Sequence, residues 1–202
     1  MLDKNAAVQD PEANAKKADT DRRAAELIGF DREQVRKNAR DIAEVIRLRP
    51  GLERIVIGGA AGSGKTSIAK ALALELEIKH IDLDDFIPGG YTDDKYEYSR
   101  RFNRGLYEAW DSVPHKAGWI IEHVEAMNRD LVNLYSPNYA LFVDPGMERV
   151  RRAAEARAAV SDDSSKDRLA RALETEKTSR KQYDSFMGTV LPAPKGFKLQ
   201  VI

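Results

Sequence analysis

The residues from Gly58 to Ser67 read GGAAGSGKTS, and no bulky side chain occurs before Ile68. Within them Gly59, Ala60, Ala61, Gly62, Ser63, Gly64, Lys65 and Thr66 satisfy G-x-x-x-x-G-K-[ST] at every position. The residue types answer a chemical need. A chain of phosphates is wrapped by backbone N–H groups, so side chains must stay out of the way. Glycine takes the required φ/ψ values and allows the close approach. A helix that begins at the loop aims its N-terminus at the anion. Lys65 is expected to bridge the β- and γ-phosphates, and Thr66 to ligate Mg²⁺ through its hydroxyl. The expected cradle runs from Gly59 to Ser67. Such a loop specifies ATP or another NTP and leaves the reaction open.

A second set of reactive side chains closes the stretch HIDLDDFIP. Asp82, Asp84 and Asp85 fall together at the end of an apolar run. Carboxylates there could accept a proton from an attacking hydroxyl, or hold Mg²⁺ directly or through water. Burying all three like charges is costly, so at least one is expected to face solvent, a cation or a substrate. An acidic turn after a strand is the alternative, since aspartate is common in turns. Glu122, in GWIIEHVEA, is a further acid at the end of an apolar run.

These groups need a scaffold. Short apolar, β-branched runs predict strands near 54–58, 78–83, 118–124, 139–144 and 197–202. Helical stretches between them predict a parallel sheet covered on both faces. TSIAKALALELE carries Ile68, Leu72, Ala73 and Leu76 at helical spacing. Earlier, Asp31 and Gln34 have the spacing of a capping box, and Pro50-Gly51 supplies a stop. Between them Val35, Ala39, Ile42 and Ile46 share one face. Residues 1 to about 30 have few large apolar groups and predict a loose helix or no fixed structure. The expected division is an N-terminal helical, partly flexible extension over 1–50 and the main domain over 51–202.

GGAAGSGKTSIAKALALELEIKHIDLDDFIP resembles the opening half of the small P-loop kinases. These include nucleoside and nucleoside-monophosphate kinases, shikimate- and gluconate-type kinases and the kinase domain of polynucleotide kinase. The resemblance implies an α/β, three-layer P-loop NTPase fold with a five-stranded parallel sheet flanked by helices. It implies a Mg²⁺-dependent transfer from ATP or another NTP to a hydroxyl. Aligned either as D-x-D or as D-D-F, Asp84 takes the place of the base or acceptor-orienting residue. Asp82 then sits nearer the metal and phosphates, and Asp85 matches least well. GWIIEHVEA resembles the third strand, where I-x-E-G is frequent. Glu122 takes the acidic place, to hold Mg²⁺-bound water or touch the acceptor; His123 stands where glycine is common. The metal set implied is Thr66, Asp82 and Glu122.

YALFVDPGMERVRRAAEARAAV resembles the fourth strand and the start of a lid, here 149–170. Family members place arginines there to clamp the moving phosphoryl group. Arg152 is taken as catalytic with Lys65 and Asp84, and Arg149 and Arg157 are further candidates. The acidic stretch SDDSSKD at 161–167 departs from arginine-rich lids. A proline-bearing loop near 191–196 is where the resemblance puts the nucleotide base. In these kinases the acceptor binds between strands two and three, here 91–117. Tyr91, Tyr96, Tyr98 and Tyr107 could stack on a base, and Arg100, Arg101 and Arg104 could hold a phosphate or carboxylate. The substrate set taken is Asp84, Arg100, Arg101, Arg104 and Tyr91. Phe102, Leu106 and Trp110 repeat at helical spacing and are expected to face the core.

Composition narrows the partners. In 202 residues, Lys+Arg and Asp+Glu each number 33, so no global basic field exists to hold nucleic acid. Cysteine is absent, which removes disulfides, thiolate zinc sites and cysteine nucleophiles. No apolar run approaches the ~20 residues of a membrane span, and the first residues lack a signal-peptide core. The expectation is a cytoplasmic protein without membrane partners. Its acceptor is expected to be a small molecule, nucleoside- or nucleotide-like. A nucleic-acid acceptor stays open, as a polynucleotide end or a hydroxymethylated base in DNA, and so does a sugar nucleotide, as in zeta-type toxins. A rival of another class is an ATP-binding regulatory protein without an acceptor. The chain has no hydrophobic-D-E strand of the motor ATPases and no N/T-K-x-D guanine motif.

Overall fold

The computed structural model describes residues 19–20, 22–24, 26–27, 29, 31–49, 51–87, 94–160, 165–185 and 188–202. Most of the expectation for residues 1 to about 30 therefore falls outside the described residues, as do Pro50 and the acidic stretch from 161 to 164. Helix α1, Arg32–Arg47, starts where the sequence expects it. The Asp31 side chain accepts from the backbone N–H of Glu33 and of Gln34. The capping box is only half made, because the Gln34 amide donates to Asn38 Oδ1 at 2.8 Å and does not turn back to the cap.

Strand β1, Arg54–Gly59, is the middle of the domain. Strand β3, Trp119–Glu122, and strand β4, Tyr139–Val143, pair with it in parallel on either side. Strand β2, Lys79–Asp82, pairs in parallel outside β3. Helix α2, Lys65–Leu76, connects β1 to β2. Helix α3, Lys95–Trp110, lies between β2 and β3, and the short helix α4, Arg129–Tyr135, between β3 and β4. After β4 the chain makes two helices, α5, Met147–Ala159, and α6, Ser165–Asp184.

The final part of the sheet corrects the expectation of five parallel strands. There are six strands, in the order β2-β3-β1-β4-β6-β5, where β5 is Thr189–Leu191 and β6 is Phe197–Val201. β6 runs antiparallel to both β4 and β5, so β5 shares the direction of β4. The reason is local. The segment between β5 and β6 holds Pro192, Pro194 and Gly196, with Gly196 at φ +89° and Phe197 N–H donating to Pro194 O at 3.1 Å. That turn folds the chain back, and β6 fills the place beside β4. β5 itself, three residues long, is too short to stand out in the sequence.

Alternation along the parallel strands sorts side chains into two cores. Ile55 and Ile57 of β1 join Ile120, Leu141 and Leu199 under α1 and α2. Val56 joins Ile121, Ala140 and Phe142 under α3, α4 and the end of α6. The sheet is therefore the middle of three layers. Helix α1 is part of this packing: Ala39, Ile42, Ala43 and Ile46 are fully buried in the same cluster as Ile68 and Leu72 of α2. The Arg47 guanidinium also donates to Glu75 O at the end of α2. Truncating Ile42 to alanine should cost about 2–5 kcal/mol, as for other buried large-to-small changes. Urea unfolding checks this, and an unchanged midpoint would mean that α1 is a detachable appendage.

Candidate active site

The segment from Gly59 to Lys65 lies between β1 and α2, at the C-terminal edge of the parallel strands, where open α/β sheets bind ligands. Gly64 caps α2 with φ +96° and ψ 15°, a left-handed conformation that side-chain-bearing residues rarely adopt. Gly62 is constrained twice. Its φ is +82°, and a Cβ there would lie 2.9 Å from Ala153 Cβ on α5. Ala60, under the loop, packs with Val150, Ala154 and Ala172, so α5 and α6 form the wall behind it. The Ala61 N–H donates to Thr175 Oγ1 of α6 at 3.4 Å. Lys65 is buried at 8% exposure, and its Nζ donates to Ala60 O at 3.1 Å. Burial pushes the Lys65 ammonium down; Glu122, Asp84 and Asp82 pull it back up, and Arg157 adds to the lowering.

Glu122 ends β3 and is 2% exposed. Its register partners are Ile57 on β1 and Asp82 on β2, which puts the strand-end acids side by side. Burial pushes the Glu122 carboxyl up, but His80, Lys65 and Thr66 outweigh it and hold the group below its usual value. His80 Nε2 stands 3.8 Å from Glu122 Oε1, close enough for attraction and too far for a hydrogen bond. Among the described residues, Glu122 Oε1 and Ser63 Oγ are buried without a hydrogen-bond partner. A buried carboxylate oxygen beside a hydroxyl and an ammonium fits hard-cation and phosphate chemistry. No cluster of three or more His, Asp or Glu that could hold a metal occurs among the described residues. Mg²⁺ would therefore depend on Thr66, on one or two carboxylates acting directly or through water, and on phosphate oxygens.

The three aspartates take different positions. The Asp82 side chain accepts from Asp84 N–H at 3.1 Å and caps a 3-10 turn, Leu83–Phe86. That turn lifts Asp84 and Asp85 to the surface. The Asp84 side chain is 58% exposed, and one of its oxygens, Oδ1, lies 3.1 Å from His123 Nε2. His123 is the departure noted in the sequence. Its position was legible, but its partner was not, because Asp84 lies on a different strand end.

The arginines separate in a way the sequence does not show. Arg149 is exposed. Arg152 is exposed too, and its Nε pairs with Glu148 at 3.1 Å on the outer face of α5. Arg157 follows Ala153 by one turn on the face that meets the loop, and its guanidinium lies 3.7 Å from the Cβ position at Gly62. On α3, Phe102 and Leu106 are buried as expected, with Trp110 partly so. Arg100 and Arg101 both pair with Glu97, and Arg104 with Glu108, all within the helix. Tyr91 lies outside the described residues. The sequence reading missed Arg180 of α6, whose guanidinium grips Asp144 at the end of β4 through two bonds of 3.0 and 2.7 Å. Arg180 also donates to Glu176 and sits 5.3 Å over the Phe142 ring. This pair ties the second helix behind the loop to the sheet edge. Its signal was the strand-end acid in FVDPG.

No family model matches the chain, and no curated protein matches it. Solved structures show partial likeness. A gluconokinase from Sinorhizobium meliloti 1021 is 20% identical, with 63% of this chain and 76% of that chain covered and a TM-score of 0.45. A shikimate kinase from Bacteroides thetaiotaomicron is 18% identical over 68% of this chain and 84% of that chain, with a TM-score of 0.48. A chain of the Pnkp1/Rnl/Hen1 RNA repair complex is 16% identical over 74% of this chain and 55% of that chain, with a TM-score of 0.47.

The Arg180 pair has a pH signature. Its hydrogen bonds, with some opposition from burial, hold the Asp144 carboxyl below its usual value. A depressed folded-state value means stability that is present above about pH 4 and lost as pH falls through the lowered value. Arg180→Met should therefore cost about 1–2 kcal/mol at pH 7, and the difference from wild type should shrink as pH falls below about 4. Denaturant unfolding across pH checks this; a gap that does not change with pH would remove the ion pair as its source.

Proposed function

We propose that the chain is a Mg²⁺-dependent NTP:hydroxyl phosphotransferase acting on a nucleoside- or nucleotide-like acceptor. The observation that carries this reading is the placement of Asp84, a solvent-facing carboxylate, within electrostatic reach of the buried Lys65 behind the loop. The loop N–H groups and Lys65 hold the β- and γ-phosphates. Thr66 would hold Mg²⁺, with Glu122 and Asp82 as further ligands or through water. When bound, Mg²⁺ would neutralise phosphate charge. The acceptor hydroxyl oxygen forms a bond to the γ-phosphorus while its proton passes to Asp84. The bond from γ-phosphorus to the β–γ bridging oxygen breaks, and the nucleoside diphosphate leaves with that electron pair. Arg157, beside the loop, is better placed than Arg152 to neutralise charge on the transferring oxygens. Positioning and electrostatics supply most of such a rate.

A screen with γ-labelled ATP against nucleosides, nucleotides, sugars, small acids and DNA tests the reading. Transfer to one class is expected. Lys65→Ala should lose turnover by orders of magnitude, and Asp84→Ala should keep ATP binding and lose about 10²–10⁴-fold in transfer. Wild-type transfer by Asp84→Ala would remove the base. Hydrolysis with no transfer to any class would favour a regulatory ATPase.

One observation favours a nucleic-acid acceptor as a second reading. Tyr96 and Tyr107 are 81% and 66% exposed, and Arg100 and Arg104 lie between them on the same outer face of α3. The spacing 96, 100, 104, 107 makes one stripe opposite Phe102 and Leu106. Exposed aromatics can stack on bases, and solvent pairs such as Arg100–Glu97 are weak enough to exchange for phosphates. A short fluorescein-labelled oligothymidylate should bind in low salt. Tyr96→Ala and Tyr107→Ala should each weaken it by about 5–150-fold, from ~1–3 kcal/mol per stacked base. Absent binding, or binding indifferent to both changes, would leave the small acceptor alone.

A further inference from the structure

We propose that His123 is a positioning residue that holds the Asp84 carboxylate in the orientation used for proton acceptance. The inference rests on the base reading of Asp84. Its basis is the way the imidazole is locked. His123 is 2% exposed and follows Glu122 directly at the end of β3. Its backbone is fixed from several sides. The His123 N–H donates to Ile57 O of β1 at 3.2 Å, and its carbonyl accepts from Ala126 N–H at 3.2 Å. The Ser179 hydroxyl of α6 donates to the next carbonyl, Val124 O.

The ring is fixed too. Phe102 of α3 packs against it with centroids 5.3 Å apart. The Glu125 backbone N–H donates to His123 Nδ1 at 3.0 Å. An Nδ1 that accepts a hydrogen bond carries no proton, so in the neutral ring the proton is on Nε2. Nε2 lies 3.1 Å from Asp84 Oδ1. The N–H therefore donates to the carboxylate, and both polar atoms of the buried ring are used.

Asp84 needs this partner for a physical reason. It sits on a surface 3-10 turn, and 58% of its side chain is exposed. An unrestrained aspartate there would sample several rotamers, each with a different distance to an acceptor hydroxyl. A misplacement of about 1 Å can cost about 10²-fold in rate. A buried, doubly anchored imidazole restricts those rotamers from the protein side. A glycine in place of His123 would supply no such donor.

The test pairs variants that keep different halves of the imidazole. His123→Gln places an amide N–H near the ε position, and His123→Asn keeps only an acceptor near the δ position. His123→Asn should lower kcat by about 10–100-fold, with KM for ATP unchanged, and His123→Gln should recover most of it. Rates are read on the acceptor found by the γ-labelled ATP screen and, in parallel, on hydrolysis by water. Asp84→Ala should gain no further loss from His123→Asn, since the two act as one unit. If Asp84→Ala turns over normally, the base reading fails. If Asp84→Ala is inactive while His123→Asn is unimpaired, or if His123→Gln is no better than His123→Asn, the His123 inference fails alone. A second readout needs no acceptor. The chain has three histidines, so ¹⁵N NMR can resolve each imidazole. His123 should show the Nε2–H tautomer, with a slowly exchanging proton whose shift moves in Asp84→Ala. An Nδ1–H tautomer, or a proton indifferent to Asp84→Ala, would overturn the inference.

Discussion

A buried ammonium has to be balanced, and the rest of the site follows from balancing Lys65. Burial alone would favour the neutral amine. The counter-charges come from Glu122 at the end of β3 and from Asp82 and Asp84 at and beyond the end of β2. Neither neighbour is close in sequence. They meet because parallel pairing aligns the C-terminal ends of β1, β3 and β2, so the residues that follow each strand face one another. Against the pull of burial, Glu122 is in turn held below its usual value by His80, Lys65 and Thr66, so Lys65 and Glu122 favour each other's charge.

The loop depends on a second constraint, that nothing may project into it. Its own glycines and alanines meet that need from within. From outside it is met by α5, which offers Ala153 and Ala154, and by α6, which offers Ala172 and Thr175. Small residues let these helices approach the loop closely, and the approach brings in Arg157. The Asp144–Arg180 pair then fixes α6 against the sheet edge. A movement of α5 would change the loop wall and the position of Arg157 together.

Much of the framework was legible in the sequence. β1, β4, α1 and α2 announced themselves through apolar runs and one-sided periodicity, since each buries most of one or both faces. The stripe Val35, Ala39, Ile42 and Ile46 predicted a docking face, and Phe102 and Leu106 predicted the inward face of α3. The antiparallel β5–β6 hairpin was not legible. Strand direction leaves no mark on local hydrophobicity, and a strand of three residues carries no period.

The residues from Gly59 to Thr66 and the D-x-D-D segment determined by themselves that a glycine-rich loop of G-x-x-x-x-G-K-[ST] spacing is followed by a cluster of carboxylates, because spacing within one turn is a local property. Side-chain company is not local. Only the tertiary structure decided that Glu122 lies beside Lys65 and Thr66, that Asp82 caps the turn while Asp84 faces out, and that Arg157 meets the loop while Arg152 points to solvent. It also gave His123 a partner. In sequence the histidine was an odd residue in the place of a glycine; in the fold its Nε2 meets Asp84 across two strand ends that parallel pairing brings together.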